Sequence, residues 1–164
     1  MKKPLIDKEC VAKFAELVHG ELNHFYMYKL LANHMQAIGY FGAQKYFLKE
    51  SAEELEHYQK HIDFLNDLGV LAPLPDLKPL KEKCGSLMDA LEVAYDNELE
   101  LLEQYKEFSK TEGVEYPELQ QHIWFYLKTQ TDAVGFYGDM LARLELVKDD
   151  SCGILLIDKE LGDA

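Results

Sequence analysis

Glycine and proline are scarce, 10 and 5 in 164 residues, which excludes a collagen-like repeat and a disordered low-complexity chain. Uninterrupted apolar sequence is scarcer still. The runs Leu30-Leu31-Ala32 and Gly153 to Ile157 fall far short of the roughly 20 residues that a membrane-spanning helix needs. Basic residues are outnumbered, 17 Lys and Arg against 30 Asp and Glu, and the net charge of -13 leaves no basic face for a nucleic acid. Three cysteines, Cys10, Cys84 and Cys152, are odd in number and scattered. They lack the Cys-x-x-Cys spacing of zinc or redox sites and read as reduced and structural. Residues 1–7 carry two lysines but no apolar core of a secretory signal, so a cytoplasmic location is expected.

What the chain does have is periodicity. Apolar residues recur at three- and four-residue spacing in four long stretches, which predicts a single all-α domain with helices over about 7–37, 40–68, 86–112 and 117–147. Asp7 and Ser86 read as N-caps, Gly39 and Gly69 as stops, and Pro117 as a first-turn proline. The first stripe contains Phe14, Leu17, Val18, Phe25, Tyr28, Leu31 and Ala32. The second contains Phe47, Leu48, Tyr58, Phe64 and Leu65. Between the second and third helices, positions 70–85 hold three prolines and no sustained period. A connection that long can travel the length of a bundle, whereas an antiparallel neighbour needs only a short turn. Asp149 to Gly153 is read as a break, followed by a short fifth helix over 154–161.

Against this apolar pattern stand acids at positions that the period assigns to the interior, where an unpaired carboxylate costs several kcal/mol. Glu21 lies in the middle of the first stripe and Glu98 in the middle of the third. Glu54 and His57, at i and i+3, share one side of the second helix, and Gln130 sits between Ile123, Leu127, Val134 and Tyr137 on the fourth. Taken singly, each is usually a snorkelling side chain or a solvated face. Four together point to a cation bound in the core. Tyr28 is either a core tyrosine with a satisfied hydroxyl or, beside a redox metal, a donor of an electron or a hydrogen bond. The stripes are read as carrying one Glu-x-x-His. A carboxylate bundle with two metals has two, and in place of the second Gln130 is followed by Ala133, which cannot ligate.

The segments E-L-N-H-F-Y-M-Y (21–28), F-L-K-E-S-A-E-E-L-E-H (47–57), D-F-L-N-D-L-G (63–69) and L-I-D-K-E-L (156–161) resemble the non-haem ferritins, and the likeness covers nearly the whole chain. It implies a ferritin-like four-helix bundle with a long crossover and a short fifth C-terminal helix. It also implies a ferroxidase centre for two irons per chain, formed by Glu21, Glu54, His57 and Glu98, with Glu54 bridging and Tyr28 nearby. Gln130 with Ala133 matches the animal heavy-chain pattern and implies weaker or more transient binding of the second iron. Shifting the fourth helix by one would put Thr129 and Asp132 in those roles, but Gln130 lies better on the stripe. A third iron position, as in some bacterial members, would use Glu53 and Asp132. Leu55 stands where bacterioferritin has its haem-binding methionine, so haem is not expected.

The function implied is oxidation of Fe(II) by dioxygen or hydrogen peroxide and storage of Fe(III) mineral within a homo-oligomeric shell of 24 chains, without nucleic acid or membrane. The alternative is a small di-iron oxidase or peroxidase of the rubrerythrin type that stores nothing. That type needs a second Glu-x-x-His and usually a rubredoxin-like cysteine set. A purely structural bundle would pair its inward acids with Lys or Arg, which the stripes do not supply.

Overall fold

The computed structural model describes residues 3–74, 76–77 and 84–164. Among them are five helices and no strand: α1 (Lys8–Ile38), α2 (Phe41–Asp67), α3 (Leu87–Glu115), α4 (Pro117–Val147) and α5 (Ser151–Asp163). Asp7 caps α1 by accepting the Cys10 N–H at 2.8 Å, and Ser86 caps α3 by accepting the Asp89 N–H at 3.0 Å. Gly39, at φ +94°, takes the left-handed conformation that ends α1 and lets α2 begin two residues later. The result is an α1/α2 hairpin, packed beside an α3/α4 hairpin through α1 and α3, with α5 lying on α2.

The apolar interior falls into two clusters. One joins Met27 to Met35 of α1 with the start of α2, the start of α3 and the end of α4. The other joins Phe14 to Val18 of α1 with the end of α2, the end of α3 and the start of α4. The end of α2 and the start of α3 therefore lie in different clusters, at opposite ends of the bundle, as the length of the connection predicts. Position 75 and positions 78–83 of that connection lie outside the described residues.

Two helix boundaries depart from expectation. α3 runs through Gly113 to Glu115 instead of stopping at 112, because Gly113 is buried in a helical conformation and the chain breaks only at Tyr116, ahead of Pro117. α5 starts at Ser151, not 154: Asp150 accepts the N–H groups of Cys152 and Gly153, both at 3.2 Å, so the chain turns at Lys148 and Asp149 and is helical again at once. Leu48, placed on the inner stripe by spacing, faces outward, and Tyr46 takes the inward position instead.

Candidate metal centre

Between the two apolar clusters every bundle helix turns polar groups inward. α1 supplies Glu21 and His24, α2 supplies Ser51, Glu54 and His57, α3 supplies Glu98 and α4 supplies Gln130, all of them buried. Ser51 is accounted for by its bond to the Phe25 carbonyl at 2.9 Å. The five acids and histidines converge on one another. Glu21, Glu54 and His57 offer ligand atoms that all lie within 4.8 Å of one another, and so do His24, Glu54 and Glu98. Glu54 belongs to both groups.

Each group sets one imidazole against a carboxylate. His57 Nδ1 lies 3.3 Å from Glu21 Oε2 and 3.6 Å from Glu54 Oε2, and His24 Nδ1 lies 3.3 Å from Glu98 Oε1. These approaches lack hydrogen-bond alignment. Glu21 Oε2, His24 Nδ1, Glu54 Oε2, His57 Nδ1, Glu98 Oε2 and Gln130 Oε1 are all buried without a hydrogen-bond partner among the described residues. An orphaned buried polar atom costs about 1–3 kcal/mol, more when charged, so the five that cluster on Glu21, His24, Glu54, His57 and Glu98 are costly unless a cation satisfies them. No lysine or arginine among the described residues forms an ion pair with Glu21, Glu54 or Glu98.

The electrostatics show the same conflict. Burial, and then the neighbouring Glu21 and Glu98 carboxylates, push the Glu54 carboxyl well above its ordinary range. Burial opposes ionisation of Glu21 too, but His57, His61 and Glu54 around it outweigh that and hold it well below. Without a cation, then, burial and mutual repulsion oppose ionising both carboxyls together. Burial works against a charged His24, yet Glu98 overrides it and raises its pKa. Glu50, one turn before Glu54, is pushed up to about 7 by burial and by the charges of Glu53 and Glu98.

Two hydrogen-bonded arms hold the outer carboxylate oxygens. Tyr28 donates to Glu98 Oε1 and accepts from the Tyr137 hydroxyl at 3.0 Å. Tyr105 donates to Glu21 Oε1, so His61 Nε2 donates to the Tyr105 oxygen at 2.6 Å, and His61 Nδ1 shares a hydrogen with His122 Nε2 at 2.8 Å. His122 is suited to the neutral state this needs, since burial and then His61 lower its pKa to about 3.

Of the residues expected from the sequence, Glu21, Tyr28, Glu54, His57 and Glu98 are brought together in the interior, and Gln130 is buried on α4 with its Oε1 unpartnered among the described residues. Glu53 is exposed and belongs to neither group, and Asp132 is exposed and paired with Lys128. Sequence reasoning missed His24, His61 and Tyr105. The reading of a single Glu-x-x-His does not stand: Glu21-Leu22-Asn23-His24 has the same spacing as Glu54 to His57. Five oxygen- and nitrogen-bearing side chains of this kind, with no thiolate, suit iron, manganese or zinc.

Residues 11–147 match the family model of the ferritin-like domain. A ferritin from Pacifastacus leniusculus is 31% identical over 123 residues, covering 73% of this chain and 68% of that one. A probable bacterial non-heme ferritin-like protein from Haemophilus influenzae is 28% identical over 127 residues, 76% of each chain. Among solved structures, an open pore ferritin from the archaeon Archaeoglobus fulgidus superposes with a TM-score of 0.90 at 22% identity, over 96% of this chain and 98% of that one.

Proposed function

The chain belongs to the ferritin family, the iron-storage proteins, and from that premise we propose that it is a ferroxidase that oxidises Fe(II) in its bundle interior and stores the product as Fe(III) mineral. The observation that carries this reading is the pair of three-residue groups joined at Glu54, with an orphaned buried atom on every member. Two Fe(II) ions held there as substrate would share Glu54, one with Glu21 and His57 and the other with Glu98, while Gln130 closes the site from α4 and Tyr28 and Tyr105 hold the outer oxygens. Hard carboxylate oxygens favour Fe(III) over Fe(II), so the ligand set promotes oxidation. Two Fe(II) release two electrons, which reduce dioxygen to hydrogen peroxide or hydrogen peroxide to water, with two protons consumed in either case. Glu53, on the outward side of the same turn, is assigned to an outer third position.

Storage needs a shell, and a homo-oligomer of 24 chains in the cytoplasm is the form we propose. Large apolar side chains left on the outside of the single chain support association: Leu71 is 89% and Leu146 83% exposed, with Leu74, Trp124 and Phe125 also exposed. No described helix is long and apolar enough to cross a membrane.

The test is the iron retained per particle after aerobic Fe(II) loading, with particle mass measured on the same fraction. Hundreds of irons in a large assembly are expected. About two irons per chain in a small oligomer would leave the di-metal chemistry intact and remove the storage role.

A further inference from the structure

We infer that His24 is a ligand of the second metal, so that this chain builds its pair from two Glu-x-x-His motifs on α1 and α2 and takes no imidazole or carboxylate from α4. The inference rests on the di-metal reading of the same centre and adds a donor to it. The sequence pattern left the second metal underprovided, since Gln130 is followed by Ala133 where a second motif would place its ligand. The geometry supplies the missing donor from the opposite side. His24 is 5% exposed, its Nδ1 has no hydrogen-bond partner among the described residues, and it shares a cluster with Glu54 and Glu98 in which all ligand atoms lie within 4.8 Å.

The composition of the two groups supports the assignment. Each consists of one carboxylate of its own, one imidazole and a share of Glu54, with the imidazole Nδ1 3.3 Å from one oxygen of that carboxylate, the orphaned Oε2 of Glu21 in the first and the Tyr28-bonded Oε1 of Glu98 in the second. The motifs are crossed. Glu21 pairs in space with His57 of α2, and its sequence neighbour His24 pairs with Glu98 of α3. With Glu98 Oε2 and Glu54 Oε2 also orphaned, all three members of the second group keep an atom for one cation. A small cleft of about 90 Å³ between α1 and α3 has His24 in its lining, together with Asn23, Asn97, Glu100 and Gln104.

A role for His24 as a mere hydrogen-bond donor to Glu98 is separable from ligation by His24→Gln, which keeps a donor and loses the imidazole. The assembled apoprotein is titrated with Co(II), reading stoichiometry by calorimetry and coordination by the cobalt absorption spectrum. Wild type is expected to bind two Co(II) per chain. His24→Gln should keep the first and bind the second at least about 10- to 100-fold more weakly, since even loss of a group behind a ligand costs that much. Two Co(II) bound by His24→Gln with unchanged affinity and spectrum would overturn the assignment and leave the di-metal centre standing. Fewer than two bound by wild type would overturn both. Should the variant fail to assemble, anomalous diffraction from Zn(II)-soaked wild-type crystals decides. The second zinc lies about 2.0–2.1 Å from a His24 ring nitrogen, or His24 is not a ligand.

Discussion

Asp158 caps a helix to which it does not belong: its Oδ1 accepts the Ala43 N–H at 2.7 Å, across 115 residues of sequence, and its Oδ2 accepts the Gly42 N–H at 3.1 Å. Tyr40, the N-cap of α2, contributes no side-chain cap of its own, so α5 provides what α2 lacks. Asp158→Ala should therefore cost about 1–2 kcal/mol in urea unfolding, and Asp158→Asn should recover part of it. An unchanged midpoint for Asp158→Ala would remove the cap from the account.

At the same crossing the backbones nearly touch. A Cβ at Gly42 would lie 1.7 Å from the Asp158 carbonyl oxygen, and one at Gly162 would lie 2.9 Å from Gly42 Cα. Gly42→Ala must push α5 away, and because backbone cannot yield as a side chain does, the loss should exceed that of Asp158→Ala. Amide exchange confined to α5 and the first turn of α2 would rise in this variant.

Glu54 is the residue common to both metal groups, so Glu54→Gln should abolish the fast phase of iron oxidation while leaving the helix content unchanged. Removing a carboxyl that burial and its neighbours already disfavour should leave the apoprotein no less stable than wild type. Wild type should gain thermal stability on adding Zn(II), by about 2.7 kcal/mol at a hundredfold excess over Kd, and Glu54→Gln should not. A fast phase of wild-type amplitude in this variant would refute the ferroxidase assignment.

Tyr28 packs face to face against Phe47 and Tyr137, at centroid distances of 5.8 and 6.4 Å, so Tyr28→Phe keeps its packing. It loses only the hydroxyl that donates to Glu98 and accepts from Tyr137. The expected cost is about 1–2 kcal/mol in stability, with Co(II) stoichiometry unchanged and the oxidation rate reduced. An unchanged rate would reduce Tyr28 to a packing residue.

The folded apoprotein should lose stability as pH rises from about 4.5 to about 7, through Glu50. Its folded pKa, raised to about 7 by burial and by Glu53 and Glu98, exceeds the unfolded value of 4.5. The folded state thus binds the proton more tightly, and that contribution is complete below 4.5 and gone above 7. Comparing wild type with Glu50→Gln across this range isolates it. The variant should gain on the order of 2 kcal/mol over wild type between the two ends, after discounting for partial exposure, and a constant difference would contradict the assignment.

Helices and their order were legible because burial imposes a 3.6-residue period, and Asp7, Gly39 and Ser86 mark ends by local chemistry. The interior acids were legible for the same reason, as exceptions to that period. His24 is equally an i+3 partner of Glu21, but an imidazole is amphipathic and sits on an apolar stripe at little cost, so unlike an acid it does not break the period. Gly113 misled because a helix interior tolerates a buried glycine at a cost of about 1 kcal/mol. The Asp158 cap and the Tyr105–His61–His122 arm were not legible at all, since each joins residues whose proximity only the tertiary fold creates.

The crossed motifs put four of the five His and Glu donors, Glu21, His24, Glu54 and His57, in one hairpin near the N-terminus, with Glu98 the last to follow. During synthesis the hairpin leaves the ribosome ahead of α3, carrying an almost complete set of donors. On the two-metal reading, the order of translation sets four of the five donors out ahead of the helix pair that closes over them.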